Sequence, residues 1–278
     1  MLTLWLKILF GCVLLYAAIL IYLWLMQEKM IFFPKPSPPD NIRSLATMTV
    51  EFTASDGTVL RGWLHPGVDN DNTDNCKLLI YFGGNNEELS HNVINNAKNF
   101  NIPQLYVNYR GYGQSSGTSS AATIRADALL IFDEIIERLN LSPENICLMG
   151  RSMGGYPATY VASRRDVNRL ALITPFDSIS NVAQGRFPLF PVKSLLRHDM
   201  NTLAEAPMVQ APTLFVLSEK DYMVPHKHSY NLIEHWTTPH TMVTLPDTTH
   251  GDIETESYWL ALQDFFSPAN DIHNNDDV

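Results

Sequence analysis

Hydrophobic and polar positions divide this chain into two unlike stretches. From Ile8 to Gln27, twenty residues, no charged side chain occurs and most positions are aliphatic or aromatic. At about 1.5 Å per residue such a run spans about 30 Å, the thickness of a bilayer core, so it predicts a transmembrane helix. Trp5, Tyr22 and Trp24 lie near its ends, where amphipathic rings favour the interface. A cleaved signal peptide would have a shorter apolar region ending at a small-x-small site, whereas Tyr16-Ala17-Ala18 is followed by more apolar sequence. Lys7 precedes the run and Lys29, Lys35 and Arg43 follow it, so positive charge favours neither orientation.

After a proline-rich spacer, Phe33 to Pro39, the pattern changes. Thr47–Phe52 and Thr58–His65 flank Ser55-Asp56-Gly57 and predict a hairpin. Short apolar runs then recur at Leu78–Phe82, Leu105–Asn108, Ile146–Met149, Leu170–Thr174, Thr213–Leu217 and Met242–Leu245. Between them lie helical patterns, clearest from Ala121 to Leu139, where Ile124, Ala128, Ile131, Ile135 and Leu139 make one apolar stripe. Alternation of this kind predicts an α/β domain with a mostly parallel sheet of about eight strands, covered on both faces. The expected divisions are an anchor at 1–27, a spacer at 28–45, the α/β domain at 46–267 and a polar tail at 268–278. Between Thr174 and Pro212 the connection exceeds what a strand-helix-strand unit needs, which predicts a small cap at about 175–211. Its apolar residues, including Phe176, Phe187 and Phe190, are candidates for contact with an acyl chain, or else belong to a loop packed onto the core.

The candidate chemistry begins at Gly150-Arg151-Ser152-Met153-Gly154-Gly155. A G-x-S-x-G between an apolar strand and a helical segment has the form of a nucleophile elbow, in which Ser152 stands clear of the sheet on a sharp turn. A serine hydroxyl needs a base to take its proton and a carboxylate to orient that base. Asp221 follows the strand at Thr213–Leu217 and His250 follows the next strand, so the order serine, acid, histidine places each in a separate post-strand loop. Glu219 and Asp247 compete with Asp221, while His226 and His228 sit two apart on a predicted helix and point to different faces. Candidate oxyanion donors are the backbone N–H groups of Met153, which follows the serine, and Asn85, in the turn Gly83-Gly84-Asn85-Asn86, with a helix expected near Glu87.

These motifs together resemble the α/β-hydrolase superfamily, and within it the membrane-anchored serine hydrolases with an F-H-G-N loop. Phe82-Gly83-Gly84-Asn85 matches that loop except at Gly83, where the family usually has histidine. Asn108-Tyr109-Arg110-Gly111-Tyr112-Gly113-Gln114-Ser115-Ser116-Gly117 is similar to the family's Y-R-G-Y-G-x-S-x-G segment. The resemblance covers about residues 47–266 and implies the α/β-hydrolase fold and an acyl hydrolase, without giving the acyl group. With the anchor and the triad, the leading expectation is a membrane-tethered serine hydrolase that cleaves an ester or thioester through an acyl-enzyme. Amide or peptide cleavage by the same triad, and a non-catalytic binding protein on the same fold, are the other readings.

Composition narrows the partners. A net charge of −10 with no basic cluster argues against nucleic acid, and any membrane contact rests on apolar surface. A small-molecule or lipid acyl substrate is expected, with no metal or organic cofactor implied. Cys12, Cys76 and Cys147 are scattered and suggest neither a disulfide framework nor a metal site. Because the candidate triad lies wholly after the anchor, deletion of residues 1–30 is expected to release the protein from membranes and to leave hydrolysis of soluble esters intact.

Overall fold

The computed structural model describes residues 1–67 and 76–267. The polar tail expected at 268–278 lies outside the described residues. The apolar run forms helix α1, Leu2–Ile31, which continues past the expected end at residue 27. Charge at Glu28 and Lys29 does not oppose a helix. The helix ends where Phe32 turns extended and buries its ring, and Pro34, which disfavours helical backbone at Phe33, keeps it from resuming. The spacer packs onto the domain: Phe32 and Ser37 are buried, and the Gly113 N–H donates to the Lys35 carbonyl. The short helix α2, Pro39–Ser44, follows the proline-rich stretch directly.

Strands β1, Thr49–Thr53, and β2, Val59–His65, form the expected hairpin. The remaining strands and helices alternate: β3 Leu78–Phe82, α3 Ser90–Asn96, β4 Gln104–Val107, α4 Ala121–Leu139, β5 Ile146–Arg151, α5 Gly155–Ala162 and β6 Arg169–Ile173. The cap follows, with α6 Ile179–Arg186 and α7 Val192–Leu195. Then come β7 Thr213–Lys220, α8 His226–Glu234, β8 His240–Thr249 and α9 Glu256–Phe266. Helix α3 starts later than Glu87 because the Glu87 N–H closes a turn onto the Gly84 carbonyl. Strand β8 runs through Pro246, which an edge strand tolerates. Asp247, at φ +58°, marks the irregularity where its pairing with β7 shifts register.

The eight strands form one sheet in the order β1-β2-β4-β3-β5-β6-β7-β8, with β2 antiparallel to both neighbours and all later pairs parallel. Successive side chains of a strand face opposite sides. Leu78, Ile80 and Phe82 of β3 therefore join the core beneath α4 and α5, whereas Leu79 and Tyr81 join the core beneath α3 and α9. Helix α4 matches its expected bounds because its ends are chemically specified. Ser120 and Thr123 form a reciprocal capping box at one end, and Asn140 takes the left-handed conformation at the other. Cys76 and Cys147 do not stand apart as expected: their sulfurs lie within bonding distance in the buried layer beside β3 and β5, with Cα atoms 5.7 Å apart. A separation of 71 residues hid that proximity.

Candidate active site

The carboxyl ends of β3, β5, β7 and β8 bring four loops to one edge of the sheet, the usual place for ligand groups in such folds. Ser152 follows β5 directly, at φ +51°, a left-handed conformation that a residue with a side chain holds only under constraint. Two glycines make the turn possible. A Cβ on Gly154 would lie 1.9 Å from the Phe82 carbonyl oxygen, and one on Gly150 would lie 2.4 Å from the Gly154 carbonyl oxygen. The serine is thus held up by backbone packing that admits no side chain at either neighbour.

Ser152 Oγ lies 2.9 Å from His250 Nε2, and His250 Nδ1 lies 2.7 Å from Asp221 Oδ2. The other oxygen of Asp221 accepts the N–H groups of Met223 and Val224 at 2.9 and 2.7 Å, so the carboxylate is fixed from both sides. Its side chain is 3% exposed, which keeps water from competing for the imidazole. The competitors are elsewhere. Asp247 is exposed and pairs with Lys220, Glu219 accepts the Asp247 N–H, and the His226 ring meets the Ser218 carbonyl.

Asn85 and Met153 flank the serine along the wall of the same cavity. The Asn85 carbonyl accepts the Tyr112 hydroxyl at 2.7 Å and the Phe33 N–H at 3.2 Å, and the Asn85 side chain donates to the Ile31 carbonyl at 2.9 Å. Tyr109 donates to the Gly83 carbonyl at 2.9 Å. The tyrosines of the Tyr109-Arg110-Gly111-Tyr112-Gly113 segment therefore brace the candidate oxyanion loop. Gly83 also acquires a physical role. A Cβ there would come within 2.7 Å of Leu89 and 3.0 Å of the Glu87 carboxylate, so glycine leaves room for Glu87. That carboxylate accepts the Tyr81 hydroxyl at 2.6 Å and pairs with Arg151 at 3.1 Å.

Arg151, the variable residue of the elbow motif, was not singled out from the sequence. It donates to the carbonyls of His250 and Gly251 at 3.2 and 3.3 Å and pairs with Glu254, tying the histidine loop to the elbow. Burial pushes the Glu254 carboxyl up, against the pull of Arg151. A cation inside the motif was the one available signal, because a buried guanidinium must find partners.

A cavity of about 850 Å³ opens over Ser152 and His250, in the upper part of the range of small-ligand sites. Phe176, Phe187 and Phe190 all line it, as do Met223 and Val224. So do Leu23, Trp24, Gln27, Met30 and Ile31 of α1, which no sequence argument had assigned to the site. The carboxyl-terminal third of α1 is therefore part of the cavity lining and not only a tether. Gln27, the only amide in the apolar run, was the available clue; it is buried and hydrogen-bonded to cap backbone.

Beside Phe176, Asp177 accepts from Ser178, Asn181 and Asn231 and meets His228 Nδ1 at 3.1 Å, fastening the cap to α8. Burial pushes the His228 pKa down, with Asp177 opposing. The unfolded chain takes up this proton near the ordinary value of about 6.5, whereas the folded protein resists it until lower pH. Stability tied to neutral His228 is thus complete above that value and lost as pH falls toward the folded pKa. Thermal melts between pH 7 and 5 should show a shallower fall for His228→Gln than for wild type; equal slopes would remove His228 from this role.

No family model matches the chain. The uncharacterized protein Rv2307c of Mycobacterium tuberculosis is 25% identical over 240 residues, covering 86% of this chain and 85% of its own. The uncharacterized membrane protein YNL320W of Saccharomyces cerevisiae is 28% identical over 235 residues, covering 82% and 81%. Among solved structures, an alpha-beta hydrolase from Vibrio vulnificus superposes with a TM-score of 0.63 at 17% identity, over 82% of this chain and 85% of that one. The Pyrococcus furiosus esterase does so with a TM-score of 0.63 at 16% identity, over 84% and 96%. The chain has the α/β-hydrolase fold, preceded by a helix long and apolar enough to cross a membrane. The two structures are a hydrolase and an esterase, and at 17% and 16% identity the likeness is one of fold.

Proposed function

We propose that this chain is a membrane-tethered serine hydrolase that cleaves carboxylic ester or thioester bonds through an acyl-enzyme. The observation that carries the reading is the continuous relay from Ser152 through His250 to Asp221, set in the floor of a largely apolar cavity. In this mechanism Ser152 Oγ attacks the acyl carbonyl carbon as its proton passes to His250 Nε2. The N–H groups of Asn85 and Met153 hold the oxygen on which charge develops. Collapse of that intermediate breaks the bond to the leaving alkoxide or thiolate, which takes the proton from His250. Water then attacks the acyl-Ser152 ester by the same route, and the carboxylic acid leaves. Asp221 keeps Nδ1 protonated throughout, so that Nε2 stays the base.

The same reading makes α1 a single-pass anchor. Every residue from Leu2 to Ile19 is exposed, and an 18-residue window of the helix has a mean hydropathy of 2.5 with none of it buried. A fluorophosphonate probe should label Ser152 in the full-length protein, and membranes washed in alkaline carbonate should retain it. Labelling at another residue, or none, overturns the serine mechanism; release by carbonate overturns the anchor.

A further inference from the structure

We infer that α1 is a structural wall of the acyl-binding site, which admits the long acyl chain of a membrane-resident ester or thioester laterally, between α1 and the cap. This rests on the hydrolase reading above and goes beyond it. A tether would need no contact with the domain beyond its end, yet α1 is fastened to the cap along half its length. Gln27 donates to the Leu195 carbonyl at 3.3 Å and accepts the Arg197 N–H at 2.7 Å. The Arg197 guanidinium sits 4.7 Å over the Trp24 ring, and Glu28 pairs with Arg197 and His198. Tyr16 stacks on Phe190 at 5.6 Å and donates to the Leu189 carbonyl.

Spacing explains the geometry. Tyr16, Leu20, Leu23, Gln27 and Ile31 recur at helical intervals on one face of α1. Leu23, Trp24, Gln27, Met30 and Ile31 then close one side of the cavity that reaches Ser152. Tyr16 lies eleven residues before Gln27, a rise of about 16 Å. With the uncharged run set across a bilayer, the cap segment at Phe187–Phe190 and Leu189, which is 81% exposed, lies beside hydrocarbon and not above it. An acyl chain in that layer reaches the serine along α1 without crossing water. The helix also ends on the catalytic machinery, because the Ile31 carbonyl, one of those a helix end leaves unpaired, holds the Asn85 side chain.

The test uses full-length protein in phospholipid nanodiscs and the ratio of kcat/KM for p-nitrophenyl dodecanoate over p-nitrophenyl acetate. Leu23→Trp puts bulk into the wall and should lower that ratio at least about tenfold, since occlusion acts on the long chain selectively. Phe10→Trp, on the same helix outside the cavity, should leave the ratio unchanged. An unchanged ratio in Leu23→Trp overturns the wall, even with Ser152 fully labelled. A second measurement is independent of variants: an alkyl fluorophosphonate carrying a diazirine at its chain end should crosslink to residues 20–31, and crosslinks exclusively outside α1 overturn the proposal. Failure of Ser152 to react with any fluorophosphonate is a different result, which overturns the hydrolase reading and this inference with it. A long-chain monoacylglycerol and an S-acylated peptide, offered in the same nanodiscs, distinguish the two sources of the chain. Turnover of either supports the inference, and turnover of neither alongside rapid acetate hydrolysis overturns it.

Discussion

Ser152→Ala and His250→Ala should each lower kcat for a soluble ester by a factor on the order of 10⁴ or more, with the fold intact. The reason is that nucleophile and base act as a unit, so losing either removes the same step. The double variant Ser152→Ala/His250→Ala should accordingly be no worse than either single one. Asp221→Asn should cost about 10³–10⁴-fold, because an amide can donate to Nδ1 and favour the wrong tautomer. Asp247→Asn should stay near wild type: the residue is exposed, and asparagine tolerates its left-handed backbone. His226→Ala should stay near wild type as well. Steady-state kinetics with circular dichroism as the folding control decide the matter. Full activity in folded Ser152→Ala would end the serine mechanism, and strict additivity in the double variant would show that the two residues do not share a step.

Asp127→Ala should destabilise the domain by about 3 kcal/mol, which corresponds to a fall in Tm of roughly 6–12 °C for a domain of this size. Arg110 donates to both oxygens of Asp127, at 2.7 and 2.8 Å, and the two side chains are only 9% and 7% exposed. Removing the carboxylate leaves a buried guanidinium with half its partners. Asp56 and Thr58 still reach the other nitrogen, which keeps the loss at the lower end for a broken buried pair. Glu51→Ala breaks the Arg61–Glu51 pair, but both partners are well exposed, so it should cost less than about 1 kcal/mol. Differential scanning calorimetry of the two variants tests the contrast, and equal Tm shifts would refute it. Asp127→Ala should lower activity too, since Arg110 sits between Tyr109 and Tyr112, whose hydroxyls hold the Gly83 and Asn85 carbonyls.

Local causes were legible in this chain, and distant ones were not. Periodicity, turn residues and the elbow glycines act over a few neighbours, so the sequence by itself determined the order of strands and helices. It also determined the bounds of α4 and the placement of Ser152, Asp221 and His250 after three different strands. The uncharged run was legible in the same way, because helix length and hydropathy need no tertiary context. Ends set by context were read less well: α1 passes Gln27, α3 starts after Glu87, and β8 runs through Pro246. Distances between remote segments were not legible at all. Only the tertiary structure brought Cys76 to Cys147, let Gly83 make room for Glu87 and its Arg151 partner, and laid α1 against the cap. An apolar helix reads the same whether lipid or protein covers a given face. Which face of α1 meets the cavity was therefore decided by the partners of Tyr16, Gln27 and Glu28, which lie about 170 residues further along the chain.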